Sequence, residues 1–260
     1  MRLSDLHRRI LAGKTLDPDA VAFLTAAGIT DASIKNAIDT LVKGLKGNNL
    51  WSKMKALYPF VGGDASKHSY NLFNPNTFQV TWFNSVTHNS NGITGNGTNA
   101  YGNTNLNENT VLTSNNSHIS IYQRNIPPVP SQVSMGAGTA GFSRFYLNFS
   151  GSNFSTLQGG AQSSLPIVSP LHGMFTMSRQ SSTSYFRKQN ALATEFINNN
   201  SGTKNNGNFM LLANRSFSVA NEFSIANLAF ASIGDGMTDS EALTYYNLVQ
   251  AFQTTLGRQV

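Results

Sequence analysis

Apolar and polar positions follow two different periods along this chain. Up to residue 57 the period is helical. Leu3, Leu6, Ile10 and Leu11 share one stripe. LDPDAVAFLTAAGI opens a second helix, with Asp17 at the N-cap and Pro18 in the first turn, where its missing N–H is no loss. Gly28 is a stop. Asp31 caps a third helix, in which Ile34, Ile38, Leu41, Val42 and Leu45 recur at three and four residues until Gly47 and Asn48. NNLWSKMKAL reads as one further short helical turn, and Pro59 cannot continue it.

From Tyr58 the signals are those of short strands. FQVTWF, HISIYQR, SRFYLNFS, GMFTMSR, SYFRK, NFMLLAN and FSIANLAFASIG are β-branched or aromatic runs separated by Gly-, Asn- and Ser-rich turns. Alternation puts Ile119 and Ile121 on one face, with Ser120, Tyr122 and Arg124 on the other. It likewise separates Phe145, Leu147 and Phe149 from Arg144, Tyr146 and Asn148. One buried and one solvated face per strand is the pattern of antiparallel sheets in a sandwich. Helical period returns once, in MTDSEALTYYNLVQAFQTTL. There Thr238 and Glu241 have the spacing of a capping box, and Ala242, Tyr245, Leu248, Val249 and Phe252 form the apolar stripe. The predicted organisation is a helical docking segment over 1–57 and a β-sandwich over 58–260, closed by a helix at 238–256.

Composition narrows the class. Charged residues make up 12% of the chain, about half the usual share. Asn, Ser, Thr and Gly replace them, as on extracellular or particle-bound β-proteins. Cysteine is absent, which excludes disulfides and thiolate metal sites. No run is apolar for the ~18 residues of a membrane span, so no membrane insertion is expected. The opening MRLSDLHRRILAGKTLD holds no apolar run of the kind a secretory leader needs. A chain made in a cytoplasm but composed for the outside fits a virus particle. The net charge of +6 is concentrated in the first third, including Arg2, Arg8 and Arg9. Without interleaved aromatics or a recognition motif it describes a solvated helix face, and no specific nucleic-acid partner is expected.

YPFVGG followed by KHSYNL, then GITGNGTNAYGNTNL and HISIYQR, resembles the start of a concanavalin A-like (laminin G-like) jelly-roll sandwich. FASIGDGMTDSEALTYYNLVQAFQTTLGR is similar to that family's last core strand running into a terminal helix. With AFLTAAGITDASIKNAIDTLVKGLKGNNLWSKMKALYPFVGG, the likeness is to sandwich domains in structural proteins of tailed bacteriophages and prophages, over roughly residues 20–260. The resemblance implies a virion protein of capsid or tail whose partners are other virion proteins, including copies of itself.

Three functions are weighed: a non-enzymatic structural role, adhesion to a host surface glycan, and polysaccharide cleavage. Cleavage needs two carboxylates across one face. The β-region offers Asp64, Glu108, Glu195, Glu222 and Asp235, no two of them two or four residues apart on a strand, and Glu241 belongs to the helix cap. His68, His88, His118 and His172 are scattered singly, without ligand or triad spacing. GNGTNAYGN lacks the lysine and following helix of a phosphate loop. No cofactor is expected; calcium could be held only through Asp64 and the Asn-rich loops. A glycan site is expected at Tyr122, Arg124, Tyr146 and Asn148, a set that reads equally as a solvated sheet face or a subunit interface. Docking to the particle is expected through Arg2, Leu3, Leu6, Arg8, Arg9, Ile10 and Leu11.

Overall fold

The computed structural model describes residues 15–125, 132–138, 143–149, 152–159, 163–166, 172–216 and 219–260, with the backbone alone at 146–149, 152–156, 163–166 and 216. The elements begin with α1 (Pro18–Ala26) and α2 (Ala32–Gly47), then a 3-10 turn at Trp51–Lys53 and strand β1 (Met54–Tyr58). Next come α3 (Ala65–His68), β2 (Thr81–Phe83), β3 (Thr87–Asn89), β4 (Gly92–Thr94), β5 (Tyr101–Asn107) and α4 (Glu108–Val111). Strands β6 (Ser117–Gln123), β7 (Val133–Ala137), β8 (Ser143–Phe149), β9 (Ser152–Thr156) and β10 (Ser163–Pro166) follow. The chain continues through β11 (Gly173–Arg179), β12 (Ser184–Gln189), β13 (Glu195–Asn198), β14 (Asn208–Leu211), β15 (Asn214–Ser216) and β16 (Val219–Asn221). It closes with β17 (Asn227–Gly234) and α5 (Asp239–Thr255).

The caps are those the side chains dictate. Asp17 accepts from the Asp19 N–H at 3.0 Å and Asp31 from that of Ile34 at 2.9 Å. At α5 the reciprocal capping box forms, Glu241 N–H to Thr238 Oγ1 and Thr238 N–H to Glu241 Oε2.

The fold is mainly β, and every strand pairing described is antiparallel. One sheet has the order β13-β12-β11-β6-β17-β4-β3, with β1 also paired to β17. The other runs β10-β9-β8-β7-β14-β5-β2. Their facing sides share one core, with Ile119, Ile121, Phe175 and Ile233 from the first sheet against Met135, Phe145, Phe209 and Leu211 from the second. The expected burial of Ile119, Ile121 and Phe145 is met; the side chains of Leu147 and Phe149 lie outside the described residues.

A second core lies behind the first sheet. Tyr122, Met174, Phe186 and Phe230 point away from the sheet interface and pack under Phe23, Ile38, Leu41 and Leu45 of α1 and α2 and Tyr245, Val249 and Phe252 of α5. The middle of this sheet is therefore buried on both sides, and the expectation of a solvated face on β6 is corrected. Ser117 to Gln123 are all buried.

The expected boundary at Tyr58 also moves. Only Trp51–Lys53 of NNLWSKMKAL is helical, and Met54–Tyr58 is a sheet strand. Ala56 and Tyr58 face the inter-sheet core while Met54 and Leu57 face the helices. A strand apolar on both faces lacks the alternation that identifies strands.

Candidate binding face

The four residues expected to form a glycan site do not come together. Tyr122 and Arg124 lie on or just after β6 in the eight-stranded sheet, whereas Tyr146 and Asn148 lie on β8 in the other. Their side chains thus belong to strands of opposite sheets, and those of Tyr146 and Asn148 are outside the described residues. Tyr122 is fully buried, its hydroxyl donating to Gln250 Oε1 at 2.8 Å and accepting from the Val260 N–H at 3.0 Å. Arg124 Nε donates to the Arg258 carbonyl at 2.8 Å. Both fasten the end of the chain beyond α5 to the sheet. The docking residues Arg2, Leu3, Leu6, Arg8, Arg9, Ile10 and Leu11 lie outside the described residues.

Basic residues of the helical layer are used within the chain. Lys43 pairs with Asp39, Lys46 with Asp17 and Asp19, Lys53 with Glu241 and Lys55 with Asp235, at 2.6–3.0 Å. Arg258 is wholly buried. Its guanidinium donates to the carbonyls of Pro59, Phe60, Ser90 and Ala229 and to Gln253 Oε1. Burial, with Arg124 nearby, pushes it down to about 9. It floors a cleft of about 730 Å³ between the start of α2 and Gly62–Gly63. Asp31 and Lys67 also line this cleft, but one caps α2 and the other pairs with Asp64.

Among the described residues, the seven-stranded sheet contributes none to the core under the helices. Registers fix its outward row. Thr81 pairs with Asn103, Asn103 with Met210, Met210 with Gly136 and Gly136 with Arg144. The β15–β16 hairpin lies against β7. It brings Asn214 and Glu222 to Arg144, with Asn214 Nδ2 to Glu222 Oε2 at 2.9 Å and Arg144 Nη1 to the same oxygen at 3.3 Å. Burial raises the Glu222 carboxyl above its ordinary value, and Arg144 opposes the shift. Glu222 sits in the left-handed region, at φ 55°, and Phe223 follows it. Phe223 meets Tyr101 at 5.9 Å, and Tyr101 stacks on Phe83 at 4.7 Å with the ring planes 7° apart. Three rings thus run in a row to the outer edge of the sheet at β2.

The carboxylates of the β-region each have a partner other than a second acid. Glu108 is buried, accepting from Ser143 Oγ and from Asn205 N–H and Nδ2 at 3.1 and 3.0 Å, and burial raises its pKa against those donors. Glu195 pairs with Arg187 at 2.9 Å. Asp64 caps α3 and pairs with Lys67, which uses the carboxylate considered for calcium. Among the described residues no three His, Cys, Asp or Glu side chains are grouped to hold a metal.

Two histidines meet, which spacing along the chain did not show. His68 Nε2 accepts from the Gly63 N–H at 3.2 Å, so the proton of the neutral ring sits on Nδ1 and faces His88 Nδ1 at 3.0 Å. Burial, then His88, pushes His68 down to about 3. His118 Nδ1 lies 2.6 Å from the Asp235 carbonyl, and burial pushes this ring down to about 4.

No family model and no curated protein matches the sequence. Among solved structures the chain is similar to a mutant of Trypanosoma rangeli sialidase displaying trans-sialidase activity, with a TM-score of 0.55 and 11% identity over 84% of this chain and 39% of that one. It is also similar to the botulinum neurotoxin serotype D binding domain, with a TM-score of 0.50 and 12% identity over 76% of this chain and 52% of that one. The chain therefore spans about two fifths to one half of these proteins. At such identities the likeness is one of fold, an antiparallel β architecture.

Proposed function

We propose that this chain is a non-enzymatic structural protein of a bacteriophage particle, carried on capsid or tail as a concanavalin A-like jelly-roll sandwich. The observation that carries the reading is the asymmetry of the two sheets. One is covered by α1, α2 and α5, while the other, among the described residues, adds nothing to the core under those helices. Such a body has one side to build with and one to display. The engagement of each β-region carboxylate by a cation or a neutral donor supports a module that performs no hydrolysis, and the phage assignment draws on the sequence resemblance over residues 20–260. Mass spectrometry and image reconstruction of purified particles test it. The expected result is a fixed copy number with the seven-stranded sheet facing outward; absence from washed particles would overturn it.

A second reading, adhesion to a host surface glycan, is favoured by the row Phe83, Tyr101 and Phe223 on the displayed side.

A further inference from the structure

The outer end of that row has the makings of a specific site. A cross-strand aromatic pair alone stiffens a short edge strand, and Phe83 is the register partner of Tyr101. Three further observations go beyond that. Phe83 is 38% exposed although one of its faces covers Tyr101, and β2 is the edge strand, so the other face looks off the sheet. Beside it stands a pre-set cluster of amides. Asn96 Oδ1 accepts from the N–H groups of Thr98, Asn99 and Ala100 at 2.9–3.0 Å, and Asn96 Nδ2 donates to Asn99 Oδ1 at 2.9 Å. Asn84 Nδ2 donates to the Asn99 carbonyl at 2.7 Å. These bonds fix Asn84 and Asn99 while leaving Asn84 Oδ1 as an acceptor and Asn99 Nδ2 as a donor at the exposed rim. Finally, between Lys67 and Glu108 the chain carries no charged side chain at all. That stretch supplies β2 to β5 and the loops between them.

We infer that Phe83, Asn84 and Asn99 form a binding site for a neutral oligosaccharide. The inference rests on the adhesive reading above and names its ligand class. A pyranose has one C–H face that packs on an aromatic ring, whose face is the electron-rich side. Its hydroxyls both donate and accept, which matches an amide acceptor beside an amide donor. Polar groups already locked by internal bonds lose little freedom on binding. Charge decides against other ligands. Nucleic acid and phosphorylated headgroups require cations for their phosphates, and a carboxylated sugar requires a cation for its acid group. Along the row, Arg144 is 6% exposed and turned to Glu222.

The test uses the full chain and saturation-transfer NMR with cellohexaose, maltohexaose and chitohexaose, and sialyllactose as the carboxylated comparison. At least one neutral hexaose should bind with Kd of about 1 mM, equally at low and high salt. Phe83→Leu and Asn99→Ala should each weaken it about tenfold while the thermal transition is retained. If Phe83→Leu is unfolded, backbone-amide shifts in the unmodified protein decide. Shifts confined to residues 83–84 and 96–101 support the site; shifts elsewhere overturn it. Unchanged affinity in a folded Phe83→Leu protein overturns this site and leaves the adhesive reading standing. Salt-sensitive binding of sialyllactose alone overturns the ligand class. No binding to any of these sugars overturns the inference, and the adhesive reading falls too if a broad array of host glycans is also negative.

Discussion

The phenol of Tyr122 and the carboxamide of Gln250 meet at 2.8 Å across the join between β6 and α5, and the same phenol oxygen receives the Val260 N–H. Tyr122→Phe removes both bonds without opening a cavity. The expected loss is about 1 kcal/mol, read by reversible denaturant unfolding. Saccharide binding should be unaffected, because this side chain is under the helices.

Phe252 is 3% exposed, with Phe230 edge-on at 6.2 Å and the Arg258 guanidinium 5.5 Å from its ring centre. Phe252→Ala should cost about 3–5 kcal/mol. A loss under about 1 kcal/mol would show that α5 contributes little to the fold.

Acid should destabilise the protein before the carboxylates titrate. His68 and His118 are held neutral, at about 3 and about 4, against an ordinary 6.5. Their stabilising contribution is complete above pH 6.5. As pH falls below that value, the unfolded chain takes up protons that the native rings refuse, and stability drains away until the folded values are reached. Each ring adds up to about 1.4 kcal/mol per pH unit. Unfolding free energies measured between pH 6.5 and about 5 should show this slope. It should flatten in His118→Gln, and an unchanged slope would exclude His118 as its source.

Glu195→Gln and Glu222→Gln should leave particle incorporation unchanged, since each carboxylate faces an arginine rather than a second acid. Incubation of host polysaccharide with the unaltered protein should release no reducing ends. Release that either substitution abolishes would make the chain a glycan hydrolase.

Deleting residues 1–14 should give a soluble protein with an unchanged thermal transition that no longer enters particles. The sequence stripe Leu3, Leu6, Ile10 and Leu11, with Arg2, Arg8 and Arg9, is proposed to dock on a neighbour in the particle. Incorporation at wild-type copy number would assign the attachment elsewhere.

Local chemistry was legible in the sequence. Thr238 with Glu241, Asp17 with Pro18, and Asp31 each announce a helix start through their own side chains. Ile119 and Ile121 announce a buried face through period two. What the sequence withholds is partnership at a distance. Tyr122 and Tyr146 look alike because alternation reports burial on a strand, not which sheet the strand joins. Phe83 and Tyr101 pair only through register, and the cluster around Asn96 forms only once its turn is folded. Arg258 has no local signal, since its acceptors come from residues 59–60, 90, 229 and 253.

The position of β17 carries a consequence for synthesis. This strand lies between β6 on one side and β1 and β4 on the other, paired along its length from Asn227 to Gly234. None of those three neighbours can complete its ladder until residues 227–234 have left the ribosome. A nascent chain shorter than that must hold β6 with an open hydrogen-bonding edge and its apolar residues uncovered, the condition in which strands pair with the wrong partner. The sheet cannot grow outward from its first strand; it is completed by insertion, late, and from the middle.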